Sequence, residues 1–204
     1  MCEPEVMTSV PRRVRLTPEA RRAQLIASAL TQISERGYNG FTLSRLAADC
    51  GITRAGVEHY FPDAASLLVA VLEHRDDLDL EAVTSTALRG FTGAEVAWRG
   101  LDALVERNAQ QPELVRLYAL LEAESLHPDH PAHDYFIDRT RNALAALTNL
   151  AADWHPDPPS FAAVVLALLD GLQLQWLREP GSDLLDLWYR AASLIGRPAR
   201  TTLE

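Results

Sequence analysis

The chain has 204 residues, enough for one or two domains whose core needs no disulfide or metal. Its 48% apolar and 23% charged residues are ordinary for a folded protein and exclude disorder over most of the length. The net charge of −9, from 19 basic and 28 acidic side chains, argues on the whole chain against a polyanion partner.

Every one of the 19 basic residues is arginine, which excludes each site that depends on lysine: a phosphate-loop lysine, a Schiff base, a kinase strand lysine. Cys2 and Cys50 have neither metal nor disulfide spacing, and Cys50 falls in an apolar-periodic stretch as a small core residue. The first residues carry no secretory pattern. The longest apolar run, at 161–169, is too short to span a bilayer. The expectation is a cytoplasmic protein without a membrane partner.

The charge is unevenly placed. Residues 1–61 hold 8 Arg and 6 acids, a net +2, and residues 62–204 hold 11 Arg and 22 acids, a net −11. A small basic head precedes a larger acidic body, so only the head is suited to meet a polyanion.

Residues 1–16 read as a flexible N-terminal arm, whose Arg12, Arg13 and Arg15 suit DNA phosphate or minor groove. Thr17-Pro18-Glu19 starts a helix by cap, first-turn proline and dipole complement. Ile26, Ala29, Leu30 and Ile33 recur at helical spacing, and Gly37 ends the element. Thr42 caps a second helix with Leu43, Leu46, Ala47 and Cys50 inward, and Gly51 stops it. Thr53 caps a third, running to about Phe61, with Val57 and Phe61 inward. Two short helices across a tight glycine turn form a helix-turn-helix. Pro62 breaks the third helix and Asp63 caps a fourth, with Leu67, Leu68, Val71, Leu72, Leu78 and Ala82 inward. Nothing interrupts the fourth before Gly90, so it is expected to run ~27 residues, about 40 Å. The body reads as helices near 93–109, 113–126, 131–154, 159–178 and 183–196, with no alternating strand pattern. The expected fold is all-α with about nine helices. The expected domains are 17–62 for the helix-turn-helix and 63–204 for a ligand-binding and dimerisation body.

Within 21–75, Glu35-Arg36-Gly37-Tyr38, Thr42, Leu46-Ala47, Gly51-Ile52-Thr53, His59-Tyr60-Phe61-Pro62 and Leu67-Leu68 follow without a gap. This stretch resembles the DNA-binding domain of TetR-type transcriptional regulators. The segment Leu168 to Leu177 looks like the dimerisation helix of one subgroup. The resemblance implies DNA contacts at Thr42, Ser44, Arg45, Thr53, Arg54, Ala55, Gly56, Glu58, His59 and Tyr60. The residue chemistry agrees. The short residues Ala55 and Gly56 admit the backbone to a major groove, Arg54 suits a guanine edge or phosphate, and the two threonines sit at helix N-termini. Two positions depart from the family. Glu58 stands where an aromatic is usual, as an acceptor for cytosine N4 or an i, i+4 partner of Arg54. Ala64 stands where a phosphate-binding lysine is common, so one phosphate contact is lost.

Two recognition helices about one DNA turn apart, ~34 Å, require a two-fold dimer on a palindromic operator. Phe161, Val165, Leu168, Leu172, Gln175, Trp176, Leu187, Trp188, Ala191 and Ile195 are the expected interface, or else they close the monomer core. Trp98, Leu101, Tyr118, Leu121, Glu122, Phe136 and Trp154, with Leu104, Tyr135 and Leu147, lie on helices that the family uses to wall a ligand cavity, or are simply core. Glu122, an acid on an apolar helix, favours a cationic or hydroxylated ligand, or else faces solvent. His127, His130 and His133 invite a metal, but Pro128 and Pro131 make a structural loop the better reading. No catalytic motif occurs. The reading is a non-enzymatic, cofactor-free, homodimeric DNA-binding repressor released by a small-molecule effector. The alternatives are an activator, a ligand-independent DNA binder, or a helical binding protein without DNA affinity.

Overall fold

The computed structural model describes residues 16–87 and 93–198, without the side chains of Tyr38 and of 79–87. The expectations for Arg12, Arg13, Arg15, Ala82 and Gly90 lie outside the described residues and side chains. The described residues form nine α-helices and no strand: α1 Pro18–Arg36, α2 Leu43–Asp49, α3 Arg54–Glu58, α4 Ala64–Ala87, α5 Ala94–Ala109, α6 Pro112–Glu124, α7 His133–Ala151, α8 Pro158–Arg178 and α9 Leu184–Ser193. A 3-10 turn, Tyr38–Gly40, links α1 to α2.

Polar caps set the helix starts of the head. The hydroxyl oxygens of Thr17, Thr42 and Thr53 accept from Ala20 N, Arg45 N and Gly56 N at 3.2, 3.2 and 3.1 Å. Each satisfies one amide that the first helical turn leaves without an intrahelical acceptor. Asp63 does the same for α4, accepting from Ser66 N at 2.7 Å and Ser66 Oγ at 2.8 Å. These bonds, the Ser66 amide first, hold the Asp63 carboxyl below its ordinary value. Gly37 closes α1 at φ +73°. A side chain there would also collide with the Glu113 carboxylate of α6, 2.6 Å from an added Cβ. The carboxylate is the movable end of a side chain, so it is the positive φ of the turn that calls for glycine here.

Two apolar cores result. The first joins Leu25, Ile33, Leu46, Val57 and Phe61 of the head to Leu67 and Leu72 of α4 and to Leu114, Leu117, Leu121 and Phe136 further along the body. The second joins α5, α7, α8 and α9 around Trp98, Val105, Phe161, Val165 and Trp188. In the second core the Trp98 ring lies 5.6 Å from Phe161 and 6.3 Å from Trp188, centroid to centroid. The third helix is shorter than expected, because the chain turns at His59 and Tyr60 ahead of Pro62. Leu78 is only half-buried.

One expectation needs correction. Read as a whole helix, α8 has 21 residues and is long and apolar enough to cross a membrane by length and composition. The short-run reading missed this because Asp170 interrupts the run without ending the helix. Here α8 packs on α7 and α9.

Candidate functional site

The head presents α3 outward. Val57 and Phe61, 0 and 2% exposed, anchor it. Thr42, Ser44, Arg45, Thr53, Arg54, Ala55, Glu58 and His59 are exposed, and Gly56 and Tyr60 half-buried. All ten expected DNA-contact residues thus reach solvent at least in part. Arg45 Nη1 donates to the Gly40 carbonyl at 2.8 Å, and Arg21 Nη1 to the Cys50 carbonyl at 3.2 Å. Those two arginines tighten the turns on either side of α2. Arg54 Nε donates to Glu58 Oε1 at 2.8 Å in an exposed i, i+4 pair. Such a pair contributes only about 0.3–0.5 kcal/mol. It engages Nε, so the Nη groups keep the forked edge that reads a guanine. At the start of α4, Ala64 is exposed and the adjacent Asp63 carboxylate caps the helix N-terminus. An anion already occupies the place where a phosphate contact is common in the resembled family.

The body holds a cavity of about 710 Å³, partly open to solvent and within the range of small-molecule sites. Walls from α5, α7 and α8 are largely leucine and alanine. Eight side chains with polar groups line it: Arg75 and Asp76 of α4, Asn108 of α5, Tyr118 and Glu122 of α6, Arg139 of α7, and Asp170 and Gln173 of α8. Asp76 is a hub. It accepts from Tyr118 Oη at 2.8 Å, Tyr135 Oη at 2.6 Å and Arg139 Nε at 3.4 Å. Burial pushes both phenols above their ordinary value, and the Asp76 charge adds to this. Burial, the largest single influence, opposes the Arg139 charge, but Asp76, Tyr118, Tyr135 and Glu122 together outweigh it and the guanidinium ends above its ordinary value. Arg75, only 2% exposed, donates to Gln111 Oε1 and Asn108 Oδ1, each at 3.1 Å. These bonds tie α4 to α5, α6 and α7.

Asp170 differs from these. Burial first, and Glu122 second, push its carboxyl up to about 6, against a partial offset from Arg139. A carboxyl with a raised folded-state pKa adds stability that is fully present below 3.8 and is lost as pH rises through about 6. The Asp170→Asn variant is therefore expected to be more stable than the parent at pH 8, by about 1–2 kcal/mol after allowance for cavity water. Urea denaturation should show the gain at pH 8 and none below pH 4. A gain of equal size at both would contradict it.

The expected ligand-site residues divide. Leu101, Tyr118 and Glu122, with Leu104 and Leu147, line the cavity. Trp98, Leu121, Phe136 and Trp154 do not. Leu121 and Phe136 are buried in the first core and Trp98 in the second, where Trp154 packs beside it with its Nε1 donating to Leu150 O at 2.8 Å. Apolar bulk took them into the cores, which helical spacing could not separate from a cavity wall. Arg75, Asp76, Arg139 and Asp170 were missed, because a charged residue on an amphipathic helix reads as solvent-facing.

The expected interface residues divide as well. Phe161, Val165, Leu172 and Trp188 are 4, 0, 8 and 0% exposed inside one subunit, beyond a partner's reach. Leu168, Trp176, Leu187, Ala191 and Ile195 are half-buried and Gln175 is exposed. Beside them α8 exposes Val164 and Leu174, and Leu194 follows α9 at 86% exposure. His127 and His130 accept backbone amides of Asp129 and Ala132 through Nδ1, and His133 Nδ1 meets Ser125 O at 2.7 Å. These contacts give the three histidines a place in a turn.

A short tight-turned helix pair presented at the end of an all-helical body is the architecture of one-component helix-turn-helix regulators. Residues 25–71 match the family described as bacterial regulatory proteins, tetR family. The chain is 34% identical over 171 residues to the HTH-type transcriptional regulator BetI of Paraburkholderia phytofirmans, covering 78% of this chain and 82% of that one. A TetR-family transcriptional regulator of Pectobacterium atrosepticum shares the fold at TM-score 0.70, with 24% identity over 88% of this chain and 93% of its own. A transcriptional regulator of Saccharomonospora viridis, solved in complex with choline, does so at TM-score 0.64, with 21% identity over 88% and 96%. The chain belongs to the TetR family of bacterial transcriptional regulators.

Proposed function

We propose that the protein is a cytoplasmic, homodimeric repressor, not an enzyme, that leaves a palindromic operator when a small molecule enters the body's cavity. The observation that carries this is the position of Arg75 and Asp76. Both line the cavity, and both belong to α4, the helix that begins directly behind the helix-turn-helix. A ligand that favours one arrangement of the Asp76 hub biases the angle of α4 and hence the spacing of two recognition helices. It shifts the equilibrium only by its difference in affinity for the two arrangements. The division at residue 62 into a DNA-binding and a regulatory unit belongs to this reading, with α4 as the lever between them.

Dimerisation is supported by α8. Only 28% of its most apolar window is buried within the subunit, and Val164 and, after α9, Leu194 stand exposed. An apolar helix face with no cover in one subunit is suited to a second copy in a four-helix contact with α9. On DNA, Arg54 reads a base edge, Thr42 and Thr53 donate hydroxyl protons to phosphate, and Ser44, Arg45, His59 and Tyr60 complete the surface.

The test is a salt-titrated binding assay on the protein's own promoter DNA. Arg54→Ala is expected to weaken specific binding by about 1–3 kcal/mol per half-site and to leave non-specific binding nearly intact. Glu58→Gln should tighten binding to all sequences by removing a carboxylate from the phosphates. Non-specific binding only, unchanged by Arg54→Ala, would overturn the regulator mechanism proposed here.

A further inference from the structure

The cavity's walls also restrict what it accepts, given the reading that it is the effector site. Tyr118 is the one aromatic residue among those lining it. The Arg139 guanidinium covers the Tyr118 ring at 4.8 Å from its centroid, and the Tyr118 hydroxyl is spent on Leu72 O and Asp76. One face of the lining's single aromatic ring is thus already taken by a cation, which leaves little for a cation without N–H groups, since such a cation depends on aromatic faces.

The charged groups point the same way. Asp76, Glu122 and Asp170 set three carboxylates against Arg75 and Arg139. Arg139 is paired with Asp76, and Arg75 donates to Gln111 and Asn108. The carboxylates of Glu122 and Asp170 make no hydrogen bond or salt bridge among the described residues, and they lie close enough to repel each other. Carboxylates in this state accept strongly from an ammonium, whose three N–H donors can serve both at once. Leu104, Leu147, Leu150, Leu166 and Leu169 supply an apolar surface for the rest of the molecule.

We propose that the cavity takes a protonated amine on an apolar body, with its N–H groups donating to Glu122 and Asp170, in preference to a quaternary ammonium. The choline-bound neighbour makes the distinction concrete, since choline's trimethylated nitrogen has no N–H to donate.

Four probes with one tail separate the possibilities: octylamine, octyltrimethylammonium, 1-octanol and octanoate, titrated calorimetrically into the full chain at pH 8. Octylamine should bind at least about tenfold tighter than each of the others, the scale of one charge-assisted hydrogen bond. Asp170→Asn should weaken octylamine by about the same factor while leaving octanol unchanged. Because this substitution is expected to stabilise the fold, misfolding does not mimic the result, and a melting curve verifies it. Lowering the pH to 5 should weaken octylamine as Asp170 takes up a proton. The titratable and charged groups that line the cavity with it are Tyr118 and Glu122 of α6, Arg139 of α7, and Arg75 and Asp76 of α4. Equal or tighter binding of octyltrimethylammonium, octanol or octanoate overturns the proposal, as does binding of none of the four. Operator release is read separately by fluorescence anisotropy. An amine that binds without changing operator affinity removes the effector role and keeps the amine site. Octanoate that binds and releases DNA does the reverse.

Discussion

Asp76→Ala is expected to destabilise the protein by about 2–4 kcal/mol, measured as a fall in the urea midpoint at unchanged slope. The substitution removes the acceptor of Tyr135 Oη, one of two acceptors of Tyr118 Oη, and the counter-ion of Arg139. Each buried polar group left without a partner costs about 1–3 kcal/mol, and an unpaired charge more. Water in the cavity reduces the sum, because both partners of the Asp76–Arg139 pair are about one third exposed. Asp76→Asn keeps an acceptor oxygen and should recover about half of the loss. The variant also tests the lever. With α4 detached from α6 and α7, amide exchange along α4 should accelerate and effector should no longer alter operator affinity. A loss below about 0.5 kcal/mol, the size of an exposed pair, would show that the hub does not hold α4.

Trp188→Ala should be still more damaging, at about 3–5 kcal/mol out of a total stability of some 5–15 kcal/mol. The indole is fully buried and packs against Trp98. Its Nε1 donates to Asp102 Oδ1 at 2.8 Å. Asp102 in turn holds Arg197 bidentately at 2.6 and 3.0 Å, and burial on that pair is high. The Asp102 hydrogen bond is the main cause that raises the Arg197 pKa above its ordinary value. Trp188→Phe separates the two contributions. It keeps most of the apolar contact and removes the donor, for about 1–2 kcal/mol. The measurement also decides between a core and an interface role. A core residue lowers stability equally at all protein concentrations, whereas an interface residue acts through dimer dissociation and its effect grows on dilution.

Much of the head was legible from the residues. Thr17, Thr42, Thr53 and Asp63 announce helix starts because their side chains accept the first free amides, a local event that needs no tertiary contact. Gly37 adopts a backbone that side chains disfavour, and Leu46, Val57 and Phe61 repeat with the helical period. The charge split also survives. The basic excess lies in the segment that carries the helix-turn-helix, although two of its arginines serve the head's own turns.

The body was harder to read, and the reason is geometric. Helical period identifies an apolar face but not what covers it. On α8 the residues Val165 and Leu172 turned inward to close the subunit, Val164 was left outside, and Leu174 came to line the cavity. The cavity takes single residues from several helices, so its polar lining depends on crossing angles that no local pattern contains. The sequence by itself determined the all-helical class, the capped helix-turn-helix and the family, since these rest on contacts within a few residues. Only the tertiary structure decided that Arg75, Asp76, Arg139 and Asp170 meet Glu122 in one cavity, because burying those charges depends on partners drawn from four different helices.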